Sequence, residues 1–192
     1  MQDLTTQKAE LRRKIRKQRR EQDLETLRLE SRKACDRLLE LPELQKANCV
    51  FCYVSCKGEA VTQPLIERLL SLGKRVVVPR CKEEGQMDCV EIRSLEELVP
   101  GRMNIPEPPV EVPATPAELV DFAVVPALAC GEDGTRLGQG GGYYDRFLET
   151  TNCRFAALCL EAFLLPSVPT EAHDRKMMLI VTQRRVLRFE DV

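Results

Sequence analysis

Gly134-Thr135-Arg136-Leu137-Gly138-Gln139-Gly140-Gly141-Gly142-Tyr143-Tyr144-Asp145 holds five of the ten glycines in a 192-residue chain. Glycine loses the most backbone freedom on folding, so a local cluster marks a place where the chain must reach positive φ or let a ligand approach the backbone. An apolar β-type run, Phe122-Ala123-Val124-Val125, comes before it, and Tyr144, Phe147 and Leu148 after it have the i, i+3, i+4 spacing of a helix. Strand, glycine loop and helix N-terminus in that order predict a phosphate site, because free N–H groups and the positive end of the helix dipole both face the ligand. The known fingerprints do not fit: no Lys-Ser or Lys-Thr follows the glycines, and the third glycine of a dinucleotide motif falls on Tyr143. Arg136 offers a fixed cation. Asp145, in the first helical turn, is either a Mg²⁺ ligand standing between carboxylate and phosphates or a simple complement to the helix dipole.

The length suits one α/β domain that buries roughly 70% of its unfolded surface. Net charge is −1, but residues 1 to 20 carry eight Lys or Arg against Asp3 and Glu10, an asymmetry that points to an anionic partner. Nine cysteines form an odd count, several inside apolar runs where thiols act as small hydrophobes. A reducing compartment follows. No apolar run approaches the ~20 residues of a membrane span and the N-terminus has no apolar signal core, so a cytoplasmic protein without a membrane partner is expected.

Thr6 to Gln22 reads as a surface helix anchored by Leu11 and Ile15, its cations serving as a solvated face, a nucleic-acid patch, or an arm reaching a triphosphate. The clearest helix repeats Leu24, Leu27, Ser31, Ala34, Leu38 and Leu41 behind an Asp23 N-cap, with Pro42 interrupting the pattern. Cys49 to Val54 is the first buried strand; Cys49, Cys52 and Cys56 lack the further ligands of a zinc site and read as packed thiols. Thr62 and Pro64 open a helix that Gly73 ends. Glu59, at the carboxyl edge of a strand, lies where open α/β sheets bind ligands, though the residues alone favour a solvated loop acid. Arg75 to Pro79 and Met87 to Ile92 are strands, Ser94 to Leu98 a short helix, and Pro100 to Pro116, with six prolines, an irregular loop. Arg80 suits a phosphate, a substrate carboxylate, or a plain surface position. Arg154 to Leu160 and Met177 to Val181 complete the strands, and the single histidine, His173, sits with Asp174 in a loop between them.

Asp133-Gly134-Thr135-Arg136-Leu137-Gly138-x-Gly140-x-Gly142-Tyr143-Tyr144-Asp145 resembles the signature of the 5-formyltetrahydrofolate cyclo-ligase family. Lys8-x-x-Leu11-Arg12, the Ser55 to Glu59 segment, Val78-Pro79-Arg80, Ile105-Pro106-Glu107-Pro108 and His173-Asp174 match in order, so the resemblance covers nearly the whole chain. It implies ATP-dependent closure of 5-formyltetrahydrofolate to 5,10-methenyltetrahydrofolate. The fold it implies is a three-layer α/β domain over residues 1–192 with a mostly parallel sheet, resembling the sugar-phosphate isomerase and CoA-transferase-like architecture, residues 1–22 being a basic arm.

The resemblance also assigns roles. ATP falls to Lys8, Ala9, Glu10, Leu11 and Arg12 and to the run Arg136, Leu137, Gly138, Gln139, Gly140, Gly141, Gly142, Tyr143 and Tyr144. The folate falls to Val54, Glu59 and Gln139 through Tyr143; catalysis to Arg136 and Tyr143; Mg²⁺ to Asp145 and Asp174. Some relatives carry basic residues where this chain has Gln139 and Gly141, and often an aromatic residue in place of Cys130, so the loop is expected to lean on its backbone amides and Arg136. A monomer acting on a small molecule is expected. Two rivals are a nucleic-acid-binding protein, which a sequence with three Tyr, six Phe and no Trp supports poorly, and a sugar-phosphate isomerase of the same fold, which would not need ATP.

Overall fold

Cys49-Val50-Phe51-Cys52 is buried at all four positions, the mark of a parallel strand covered on both faces. In the computed structural model, which describes residues 3–101, 105–171 and 174–189, this strand (β1) follows three helices: α1 (Leu4–Arg20), α2 (Leu24–Leu39) and α3 (Pro42–Lys46). After it come α4 (Gln63–Ser71), β2 (Arg75–Cys81), β3 (Met87–Ile92), β4 (Val99–Pro100), β5 (Pro106–Glu107), β6 (Phe122–Pro126), β7 (Ala129–Gly131) and β8 (Arg136–Leu137). The chain ends with α5 (Tyr143–Glu149), β9 (Arg154–Leu158), β10 (Leu164–Leu165), β11 (Leu179–Val181) and β12 (Val186–Arg188).

Seven strands form the main sheet in the order β12-β11-β9-β6-β1-β2-β3. The inner five are mutually parallel, and antiparallel β3 and β12 close the two edges. Strand order reverses at β1, with β2 on one side and β6 on the other. Ligands of open α/β sheets bind outside the carboxyl ends of strands at such a reversal. Val76 to Val78 of β2 and Phe122 to Val125 of β6 are fully buried, which explains why their sequences run apolar without alternation.

The helices follow their sequence patterns with local differences. Asp23 caps α2 by accepting from Thr26 N–H at 2.8 Å, and Leu27, Ser31, Ala34 and Leu38 are buried as the spacing predicts, while Leu24 is 61% exposed. Ser31 is tolerated inside because its hydroxyl donates to Leu27 O at 2.6 Å and accepts from Val61 N–H at 2.9 Å. Pro42 does more than interrupt α2: it occupies the first turn of α3, where its missing N–H costs nothing. The helix expected from Ser94 is a single 3₁₀ turn.

Three features depart from expectation. The apolar run of β6 does not pass directly into the glycine loop, because the β7–β8 hairpin intervenes and pairs with β10 in a separate three-stranded sheet; Gly134 sits in its turn, against Phe189. The proline-rich stretch is not wholly irregular, since β4 and β5 pair within it. β12 also joins the main sheet. Among the described residues no helix is long and apolar enough to cross a membrane, and all nine cysteines are free thiols.

Candidate active site

The glycine loop, Gly138 to Gly142, emerges from β8 and is met by cations from two sides. Arg12 of α1 donates from Nε to Gly138 O at 2.9 Å, and Arg16 donates to Gln139 O at 3.1 Å and to its Oε1 at 3.0 and 3.1 Å. Gly140 holds φ at +104°, a backbone conformation that calls for glycine, and the position where a Cβ would sit is in van der Waals contact with the Arg12 guanidinium, 3.4 Å from Cζ. From the other side Arg146 donates to Gly141 O at 2.5 Å and to Gly85 O at 3.0 Å, while Tyr143 Oη reaches Lys82 O at 3.4 Å. The β2–β3 turn is thereby tied to the loop.

Arg136 is buried beneath it. Its Nη1 donates to Pro126 O at 3.1 Å and its Nη2 to Asp145 Oδ1 at 2.7 Å. Nε–H is buried and has no acceptor among the described residues. A ligand oxygen there would recover about 1–3 kcal/mol of desolvation cost. Tyr144 shares this space: burial pushes its phenol well up, Glu59 and Cys81 act in the same direction, and Arg136 opposes them. Phe51 of β1 packs edge-on to Tyr144, ring centroids 6.3 Å apart, and stacks on Phe147 at 4.4 Å, fixing α5 over the point where strand order reverses. Glu59 shapes its own loop by accepting from Cys56 N–H at 3.1 Å. Burial, then Glu59, pushes the Cys56 thiol up to about 12.

A third cluster anchors the start of α1. Lys8, 5% exposed, pairs with Asp174 at 2.5 Å and Glu171 at 2.6 Å. Burial pulls its ammonium down, but both carboxylates outweigh burial and hold it above the ordinary lysine value. Asp145 and Asp174, the expected metal pair, each therefore meet a cation, and the described residues contain no group of three His, Cys, Asp or Glu side chains arranged for a metal. His173 lies outside the described residues.

Other expected residues are spread more unevenly. Ala9 and Glu10 are exposed, and Leu137 and Val54 turn their side chains into the core. Arg80 serves the fold: it donates to Pro109 O and Val112 O, both at 2.7 Å, and pairs with Asp88 at 2.9 Å. Three arginines that the sequence motifs do not single out also hold this region: Arg16, Arg146 and Arg19, the last being 6% exposed. For Arg19 a signal is present in α1, where Lys8, Arg12, Ile15 and Arg19 recur at four, three and four, so cations occupy positions of an inward stripe. Gln139, expected to leave the loop short of a cation, lies against the guanidinium of Arg16.

The family model for the 5-formyltetrahydrofolate cyclo-ligase family matches residues 4–183. The 5-formyltetrahydrofolate cyclo-ligase of Escherichia coli strain K12 is 33% identical over 181 residues, covering 90% of this chain and 98% of the relative, and that of Saccharomyces cerevisiae 28% over 199 residues, covering 89% and 92%. The NMR structure of Aquifex aeolicus 5,10-methenyltetrahydrofolate synthetase superposes with a TM-score of 0.85 at 32% identity, over 96% of this chain and 94% of that one. The Mycoplasma pneumoniae synthetase, at 18% identity and a TM-score of 0.74 over 92% and 98%, shares the fold. The match thus runs unbroken from the basic helix through the glycine loop to β11, and the chain belongs to the 5-formyltetrahydrofolate cyclo-ligase family.

Proposed function

We propose that this enzyme cyclises 5-formyltetrahydrofolate to 5,10-methenyltetrahydrofolate at the expense of ATP, releasing ADP and phosphate. The names of the relatives print the substrate and the product. The observation that carries the reading is the buried Arg136 guanidinium with its unsatisfied Nε–H, beside a glycine loop that Arg12, Arg16 and Arg146 hold from two sides and close enough to the Tyr144 phenol for their charges to interact. It supports a site where an anionic donor and a neutral heterocycle meet.

A formamide carbonyl is a poor electrophile and its oxygen a poor leaving group. Transfer of the γ-phosphoryl group to that oxygen makes it a phosphate ester, N10 then attacks the formyl carbon and loses its proton, and phosphate departs with the oxygen. The protein's part is positioning and charge neutralisation. Lys8, Arg12, Arg136 and the Gly138 to Gly142 amides would hold ATP, and Tyr143 would sit at the edge shared with the folate. Glu59 would accept from pterin N–H donors, beside the Val54 backbone.

The carboxylates fit Mg²⁺ as an ATP-borne ion: an ion pair through one oxygen does not exhaust a carboxylate's roughly four lone-pair sites, and Mg²⁺ characteristically takes one or two carboxylates with phosphate oxygens and water. Asp145 and Asp174 would hold it, and it would neutralise phosphate charge.

The engagement of Arg12 and Arg16 with the loop favours a nucleotide over a nucleic acid as the helix's anionic partner. We read the protein as a cytoplasmic monomer, a reading that nine free thiols support on the side of compartment. The reversal of strand order at β1 supports a kinship with the sugar-phosphate isomerase and CoA-transferase-like architecture. Purified protein with 5-formyltetrahydrofolate and Mg²⁺ should generate the near-ultraviolet absorbance of the methenyl product only when ATP is added; product without ATP, or none with it, overturns the reading.

A further inference from the structure

Arg19 lies in the last turn of the basic helix, yet its hydrogen bonds go to segments other than the glycine loop. Nη1 donates to Gly58 O at 2.7 Å, Nη2 to Ala127 O at 2.7 Å and Leu128 O at 2.8 Å, and Nε to Leu128 O at 3.2 Å. The guanidinium also lies over the Phe163 ring, 4.4 Å from its centroid. Every one of these hydrogen-bond acceptors is a neutral carbonyl. Five donors in a rigid planar fork suit this task, and an ammonium on a flexible stem does not.

The acceptors join two segments that leave the strands at the reversal of order: the loop after β1, and the turn after β6. Gly58 is the residue before Glu59, it holds φ at +85°, and a Cβ there would lie 3.6 Å from Arg19 Cβ. Three hydrogen bonds hold Glu59 and the peptide before it. Two are local: Cys56 N–H donates to the Glu59 carboxylate at 3.1 Å and Glu59 N–H donates to Cys56 O at 3.1 Å; the third, from Arg19 to Gly58 O, is the one that ties this turn to another part of the chain. The rest of α1 is held elsewhere, by Lys8 on Asp174 and Glu171 and by Arg12 and Arg16 on the glycine loop.

We propose that Arg19 is a positioning residue for the folate side of the site, acting through the Gly58 peptide on Glu59, although it belongs to the helix that serves the nucleotide side. The proposal rests on the reading of Glu59 as a folate-binding residue. Loss of the fork leaves the Gly58–Glu59 peptide held only by the local bonds of its own turn, so the turn shifts relative to β6 and carries the Glu59 carboxylate with it, while the nucleotide contacts of α1 stay in place.

The test is steady-state kinetics on Arg19→Met, Arg19→Lys, Glu59→Gln and the double variant Arg19→Met/Glu59→Gln, with thermal unfolding measured on each. Arg19→Met should raise KM for 5-formyltetrahydrofolate by about tenfold, the effect expected when one charge-assisted hydrogen bond to the substrate is broken, and leave KM for ATP within about twofold. Arg19→Lys should fall between it and the wild type, and it carries the test if Arg19→Met does not fold. Residues that act through one another are non-additive, so the double variant should be little worse than Glu59→Gln. A lowered melting temperature with both KM values unchanged, an equal rise in both, or additive effects in the double variant would overturn the proposal. If Glu59→Gln itself leaves the folate KM unchanged, the reading of Glu59 fails first; if it raises that KM and the Arg19 variants do not, the proposal alone fails.

Discussion

Replacing Asp145 with Asn removes one charge and keeps an acceptor, and the surroundings of Arg136 set what this should cost. The Arg136 side chain is 2% exposed and that of Asp145 23%, with 2.7 Å between Nη2 and Oδ1. The other acceptor of the guanidinium is the neutral Pro126 carbonyl at 3.1 Å, and its Nε has none among the described residues. Breaking a fully buried pair costs roughly 3–5 kcal/mol, and a charge-assisted hydrogen bond is worth roughly 1.5–3 kcal/mol. Because Asp145 keeps partial access to water and Asn still accepts, the lower range applies, about 2 kcal/mol.

Urea unfolding of the ligand-free, metal-free protein reads this directly. With a slope of about 2 kcal/mol per M, the midpoint of Asp145→Asn should fall by about 1 M while the slope stays constant. A helix-dipole role alone is worth about 0.3–1 kcal/mol and shifts the midpoint by a few tenths of a molar at most. A role confined to holding Mg²⁺ shifts nothing without metal and shows instead as activity recovered at high Mg²⁺. A midpoint within about 0.2 M of the wild type would refute the argument that Asp145 holds a buried cation in place.

Arg12→Ala should raise KM for ATP roughly tenfold to a hundredfold, the worth of one charge-assisted hydrogen bond, with KM for the folate unchanged; an unaltered ATP dependence would remove α1 from the nucleotide site. Cys56 is partly open to solvent, but burial and Glu59 push its thiol from 9.0 up to about 12. Its thiolate fraction near pH 8 is accordingly about a thousandfold reduced, and peptide mapping after brief iodoacetamide treatment should find Cys56 unmodified. Burial works against ionisation of Asp88, but Lys82 and Arg80 outweigh it and hold the carboxyl below 3.8. A depressed carboxyl contributes stability that is present above its unfolded value and lost as pH falls through the folded one, so Asp88→Asn should cost about 1 kcal/mol near pH 6 and progressively less as the pH is taken below 3.8 and through the lowered folded value. A cost that persists in acid would place the effect in packing and not in charge.

The parallel strands and α2 were legible because burial dictates their residues. Cys49 to Cys52 and Phe122 to Val125 can be apolar throughout only where both faces are covered, and α2 repeats its buried side at helical spacing. The β7–β8 hairpin was not legible, since three residues and two residues of strand carry too little pattern to separate from a loop. Their pairing depends on β10, more than thirty residues beyond β7. β12 failed for the same reason: Val186 to Arg188 is a short edge strand, half exposed, whose register is set by β11. The glycine motif carried the family resemblance that the family match bears out, but motif and composition say only which groups are available, not which cation faces which acceptor.

That assignment is made by contacts between residues far apart in the chain. Arg12 reaches Gly138 across 126 positions, Arg19 reaches Leu128 across 109, and Lys8 reaches Asp174 across 166. Local charge density makes residues 1 to 22 look like a separate basic arm, and a polar helix is ordinarily a solvated one. Yet four of its cations engage the protein's own carbonyls and carboxylates, at the start, middle and end of the helix. Each of these contacts lands on a loop at a strand's carboxyl end or on the hairpin that follows β6. Residues 1 to 22, an arm by composition, are thus joined to the rest of the fold by these hydrogen bonds and ion pairs. Detaching α1 would take Arg19 from Gly58 O, Arg12 and Arg16 from Gly138 O and Gln139 O, and the Lys8 ammonium from Asp174, so both halves of the proposed site depend on a segment whose sequence reads as an appendage.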